Sequence, residues 1–159
     1  MKTLILSCFP GVGKTWVFDN QKELGFSVLD SDSSKFSWLS DGVRNPDFPQ
    51  NYVDHIKEVS GTVDVILVST HREVREALIQ NGVAFHTVVP PLVDKELYIK
   101  RYRDRGSSSY FISLLSDNWD SWLSGIFASG LPCCEIRPGG YLSDVVSGIL
   151  CLYKRKYRE

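Results

Sequence analysis

TLILSCFPGVGKTWVF, residues 3–18, decides the fold. An apolar run ends at Cys8, a Pro-Gly-Val-Gly turn follows, and Lys14 and Thr15 open a helical stretch. Gly11 and Gly13 permit the turned backbone in which successive N–H groups point inward at phosphate oxygens. Lys14 then reaches the β and γ phosphates, the Thr15 hydroxyl ligates Mg²⁺, and the helix N-terminus adds its positive end. The full GxxxxGK[ST] pattern asks for glycine where this chain has Cys8, which reads as a small buried strand-end residue. A chance Gly-Lys-Thr turn would lack the strand before and the helix after it. The stretch predicts a nucleoside triphosphate site.

Working outward, strand-like apolar runs recur at residues 2–8, 26–30, 63–69, 84–89 and 133–137, with helical patterns in the intervals. That alternation argues an α/β fold, a parallel sheet with crossover helices. Four runs are almost continuously apolar, as expected of strands covered on both faces, and the mixed fifth, CCEIR, belongs at an edge. Thr70 followed by Glu73 predicts a capping box for HREVREALIQNG, and Asp94 a cap for KELYIKRYRDR. Phe111, Leu115, Trp119, Trp122 and Ile126 recur at helical spacing, and both tryptophans read as packing.

The 159 residues suit one domain, residues 1–159, burying roughly two thirds of its unfolded surface. With 18 basic and 19 acidic residues the net charge is −1, so no global field recommends nucleic acid or membrane as the main partner. The opening MKTLILSCF has too short an apolar run for a signal peptide and reads as the first strand. No stretch approaches the roughly 20 apolar residues of a membrane span. Cys8, Cys133, Cys134 and Cys151 show no paired framework, and the three histidines are scattered, so neither a disulfide scaffold nor a zinc site is expected. A cytoplasmic protein, monomer or homodimer, is the expectation.

In such sheets ligands bind beyond the carboxyl ends of the strands, so the residues just after each strand are the candidates. LDSDSSKF after the second run places Asp30 and Asp32 one residue apart. One can hold Mg²⁺ or its waters while the other activates an acceptor hydroxyl, or the pair with Ser33 can simply turn the chain and cap a helix. The third run ends at Ser69, Thr70 and His71 without an acid, which leaves metal duty to Asp30 and Thr15; His71 is a candidate substrate contact. The insert at about 36–60 offers Trp38 and Phe48 for stacking, Arg44 for a phosphate, and Asn51 as a polar contact. A lid-like region at about 95–110 carries Arg101, Arg103 and Arg105. Arg101 and Arg105, four apart on one face, repel unless an anion lies between them; the alternative is a solvated basic face. Arg137 and Gly139, in the Pro-Gly-Gly turn after the fifth run, are candidates to press on an adenine ring.

GVGKT, the DSD pair, RNPDFPQNY, STHREVREAL and YIKRYRDRG together resemble the small P-loop kinases of the nucleoside monophosphate kinase and shikimate kinase group, in particular short, phage-encoded, adenylate kinase-like members. The resemblance implies a P-loop NTPase three-layer sandwich with a five-stranded parallel sheet in order 2-3-1-4-5. It implies ATP and Mg²⁺ as cofactors, with Lys14 and Thr15 on them; Pro10, Gly11, Val12, Gly13 and Trp16 around the loop, with Arg137 and Gly139 from the turn reading, complete the candidate nucleotide contacts. By the same likeness Lys14, Asp32 and the lid arginines Arg101 and Arg105 are the catalytic candidates and Thr15 and Asp30 hold metal; Asp32 and Arg103, with Trp38, Arg44, Asn51 and His71 from the residue readings above, are the candidate acceptor contacts. The implied reaction is ATP-dependent phosphoryl transfer to a small acceptor, a nucleoside or deoxynucleoside monophosphate. The chain lacks a long lid insertion. A kinase of a polynucleotide end or of a modified base in DNA, and a non-catalytic nucleotide-binding module, remain the rival classes.

Overall fold

The computed structural model describes residues 2–158. Five parallel strands form the central sheet: β1 (Leu4–Cys8), β2 (Val28–Asp30), β5 (Val65–Ser69), β6 (His86–Val89) and β7 (Cys133–Glu135), in spatial order β2-β5-β1-β6-β7. This labelling departs from the expected 2-3-1-4-5 because two short strands, β3 (Trp38–Ser40) and β4 (Val43–Arg44), lie between β2 and β5 and pair only with each other, antiparallel. Their turn is Asp41-Gly42, with Gly42 at a φ of 73°. The strongest two-residue hairpin signal was thus present inside a segment that reads as a polar, kinked loop.

The period-2 alternation of side chains splits the core between the two faces of the sheet. Leu4, Leu6, Val65 and Leu67 face one side and join Tyr98, Trp119, Val146 and Leu150. These last four come from α6 (Lys95–Asp104), α7 (Ser109–Ala128) and α8 (Val146–Lys156). Ile5, Ile66 and Val68 face the other side and join Tyr52, Ile56, Val74 and Leu78 of α4 (Gln50–Val59) and α5 (Arg72–Gln80). A layer of helices on each face of a parallel sheet is the expected α/β sandwich. No helix among the described residues is long and apolar enough to cross a membrane.

Two expected caps form differently. The N-cap of α5 is His71, with no side-chain cap, and Thr70 is buried beneath it. Asp94 precedes α6, but its Oδ2 accepts from the Gly139 N–H at 2.9 Å instead of capping the helix. That bond fastens the start of α6 to the Pro-Gly-Gly turn after β7, two segments that meet at the carboxyl edge of the sheet.

Candidate active site

Pairing of Cys8 with Ser69 and of Asp30 with Leu67 brings the ends of β1, β5 and β2 to one edge. From that edge the loop 9–13 runs into α1 (Lys14–Asp19). Gly11 and Gly13 adopt φ values of 90° and 100°, a left-handed backbone that strains any L side chain. A Cβ on Gly11 would also stand 2.9 Å from Tyr102 Cε1, so glycine is demanded there twice. The Lys14 ammonium reaches back to donate to the Cys8 carbonyl at 3.5 Å, poised across the mouth of the loop. Thr15 and Trp16 are exposed at the first turn of α1.

The loop is gripped from behind. Tyr102 Oη donates to the Pro10 carbonyl at 2.7 Å, and the Leu142 N–H to the Val12 carbonyl at 2.8 Å. Arg101 donates from Nη1 to the Gly11 carbonyl and from Nη2 to the Gly140 carbonyl, each at 3.1 Å, while its guanidinium lies over the rings of Tyr98 and Tyr141. The structure thus places Arg101 on loop carbonyls. Arg105 lies apart from it, exposed, bonded through Nε to Ser107 Oγ at 3.0 Å and lying over Tyr102 and Phe111. Arg103 is exposed on α6. The anion-sharing pair expected of Arg101 and Arg105 is not assembled, because one of the two is spent on backbone carbonyls.

Burial pushes the Asp30 carboxyl above the usual carboxylate range, with Lys14 pulling it back and Asp32 adding to the rise. Lys14 and Asp30 therefore sense each other across the loop mouth. Asp32 is exposed, and its Oδ1 accepts from the Ser34 N–H at 2.9 Å, turning the chain into the short helix α3 (Ser34–Ser37). Burial also pushes the Cys8 thiol up to about 12, which keeps it protonated and inert. Among the described residues no three His, Cys, Asp or Glu side chains cluster as a metal site. Mg²⁺ fits the few oxygens available, Thr15 Oγ1 and the Asp30 carboxylate, since it keeps several waters and relies on phosphate oxygens.

The insert residues disperse. Asn51 donates to the Phe36 carbonyl at 2.9 Å and accepts from the Tyr52 N–H, which locks α3 onto α4. Arg44 stacks on Trp38 and Phe48 and bonds Glu73 at 3.2 Å, so its charge is already matched. Arg137 and Asp144 approach at 3.7 Å on the exposed surface, and Gly139 is tied to Asp94.

A cavity of about 680 Å³ opens beside Pro10 at the ends of β1 and β5, between the start of α5 and one flank of α7. Of the expected acceptor contacts only His71 lines it. Trp122, read from sequence as packing, is 39% exposed and faces this space, whereas Trp119 is fully buried and donates from Nε1 to the Leu92 carbonyl. Spacing does not separate the two, because three residues apart they share one broad apolar arc.

No family model matches the chain, and no curated protein matches it. Among solved structures it is similar to the YorR protein of Bacillus subtilis, crystallised in complex with phosphorylated GDP, at 15% identity over 99% of both chains with a TM-score of 0.56. It is also similar to an uncharacterized protein from Eubacterium ventriosum at 13% identity, over 98% of this chain and 99% of that one, with a TM-score of 0.47. The first likeness extends to the fold of the whole chain.

Proposed function

We propose that this chain is a single-domain, ATP-dependent phosphotransferase acting on a small acceptor, a nucleoside or deoxynucleoside monophosphate. The observation that carries the reading is the strand-loop-helix at residues 4–19, with left-handed Gly11 and Gly13, Lys14 across its mouth, and Asp30 at the end of β2 on the same sheet edge, one strand beyond β5. The nucleotide bound to YorR, a protein of similar fold, supports a nucleotide as ligand here.

In this reading the loop N–H groups and Lys14 hold the β and γ phosphates, and Thr15 and Asp30 hold Mg²⁺, which when bound neutralises charge gathering on the transferred group. Arg101 acts as a positioning residue that fixes the loop carbonyls, and so the direction of the loop N–H groups. The bond from the γ phosphorus to the ADP oxygen breaks as the bond to the acceptor oxygen forms. A phosphate monoester has its second pKa near 6, so its oxygen is already ionised at neutral pH and transfer to it needs no general base. A hydroxyl acceptor would need one, and Asp32 is the carboxylate nearest that role in the chain. The near-neutral net charge argues against a polynucleotide acceptor, which is held by many cationic contacts.

Incubation with [γ-³²P]ATP and a mixed panel of ribo- and deoxynucleotides, nucleosides and DNA tests the reading. Label on a mononucleotide supports it. Label on DNA alone identifies a polynucleotide kinase, and nucleotide binding without any transfer identifies a sensing module.

A further inference from the structure

The cavity between α5 and α7 has a chemistry that the insert lacks. Its α7 wall is apolar and aromatic, with Phe111, Leu114 and Trp122 presenting exposed or half-exposed surface to the space. Exposed apolar area of this kind, gathered in a concave site, marks a ligand surface. The opposite wall, from α5, is charged, but its charges differ in how they are used. Arg72 is bonded to Glu76 at 2.8 Å and Glu73 to Arg44 at 3.2 Å. Arg75 is half-buried, and its Nε donates to the Thr70 carbonyl at 3.0 Å. Among the described residues no carboxylate pairs with it and no protein group accepts from its Nη atoms. A guanidinium held by one backbone bond, with its fork unspent, is a receptor for an anion.

We infer that this cavity is the acceptor subsite, with Arg75 binding the acceptor's phosphate and Trp122 and Phe111 receiving its planar base. The inference rests on the kinase reading above, and it assigns the substrate class by chemistry: a phosphate-bearing ligand with a planar aromatic body. The volume, about 680 Å³, lies inside the range of roughly 300 to 1,000 Å³ usual for small-molecule sites. Position agrees, because Pro10 of the loop and His71, just after β5, both line the cavity. The insert reaches this space only at its rim, through the Arg44 to Glu73 pair. Recognition rests on stacking and one anion contact, so discrimination among bases is expected to be weaker than discrimination between a monophosphate and its nucleoside.

The test measures thermal shifts and titrations of the full chain with nucleoside monophosphates, the matching nucleosides, and, separately, ATP with Mg²⁺. Arg75→Gln and Trp122→Leu keep most of the side-chain volume or apolarity at sites that contribute little to the core. Each is expected to weaken monophosphate binding at least tenfold while leaving the ATP shift unchanged, and nucleosides are expected to bind far more weakly than monophosphates. Trp122 fluorescence should respond to the monophosphate in the wild type, a signal lost in Trp122→Leu. Monophosphate binding at wild-type strength in both variants overturns the inference, as does binding of nucleosides and monophosphates alike. Absence of an ATP shift in the wild type overturns the kinase reading instead, and the monophosphate titrations still decide the subsite.

Discussion

The Arg101 guanidinium carbon lies 3.9 Å from the centroid of the Tyr141 ring, and Arg101 donates to the carbonyls of both Gly11 and Gly140. One side chain from α6 therefore ties the glycine loop after β1 to the turn after β7. Such charge-assisted bonds are worth about 1.5 to 3 kcal/mol. Arg101→Ala is expected to lower stability by about 2 kcal/mol, since its partners are backbone groups left half-satisfied. Urea unfolding checks the value. ATP affinity should fall with it, because the loop loses its brace, whereas an arginine serving only the transferring phosphoryl group would lower kcat and leave urea unfolding unmoved.

Gly11→Ala and Gly25→Ala separate backbone strain from crowding. Both glycines have positive φ, 90° and 80°, but a Cβ at Gly25 meets nothing within 4 Å while one at Gly11 meets Tyr102 and Tyr98. Left-handed backbone alone costs roughly 1 to 2 kcal/mol, and overpacking adds about 1 to 3. The Gly11 variant should therefore be the less stable by more than about 1 kcal/mol in urea midpoints. Equal losses would contradict the packing of α6 on the loop.

Asp30→Asn should stabilise the ligand-free protein and, on the proposed function, cripple phosphoryl transfer. Burial raises the folded-state pKa of Asp30 above its unfolded value, so the native state binds more protons between the two. The Asp30 contribution to stability therefore falls as pH rises from the ordinary carboxylate range through the raised pKa, and it stays lost at neutral pH. Melts of the wild type and Asp30→Asn should diverge above that window and converge below it. Mg²⁺-dependent turnover should fall at every pH.

Much of this architecture was open to reading from residues alone. Four of the five runs that became sheet strands are short and apolar, all are separated by helical patterns, and the mixed fifth, CCEIR, lies at the sheet edge, which leaves little room for another assignment. The hairpin escaped because Asp41-Gly42 sits among prolines and polar residues that mask it. The contact of Arg101 with Gly11 escaped for another reason: 90 residues separate them, and no local pattern reports a cation committed to a distant carbonyl. Trp122 and Arg75 stayed hidden likewise, since Trp119 shares the stripe of the one and Arg72 the helix of the other. Only packing decides which of each pair is spent.

Asp32→Asn discriminates the kind of acceptor. General-base catalysis is worth about 10²- to 10⁴-fold, so a hydroxyl acceptor predicts a loss of that size. A monophosphate acceptor, ionised already, predicts a loss under about tenfold, arising from the turn that Asp32 caps. Single-turnover rates with a monophosphate and with its nucleoside check the distinction.

In the proposed function the loop at residues 10–15 carries a triphosphate whose terminal group is transferred, with Lys14 bridging the β and γ phosphates. The most direct measurement is transfer of label from [γ-³²P]ATP to a nucleoside monophosphate by the wild type and by Lys14→Ala, with unfolding followed in parallel. Labelled product is expected from the wild type, with a loss of at least about 10²-fold in Lys14→Ala and an unchanged melt of the ligand-free variant with a shrunken ATP shift. Normal turnover by Lys14→Ala, with its fold intact, would contradict that role of the loop.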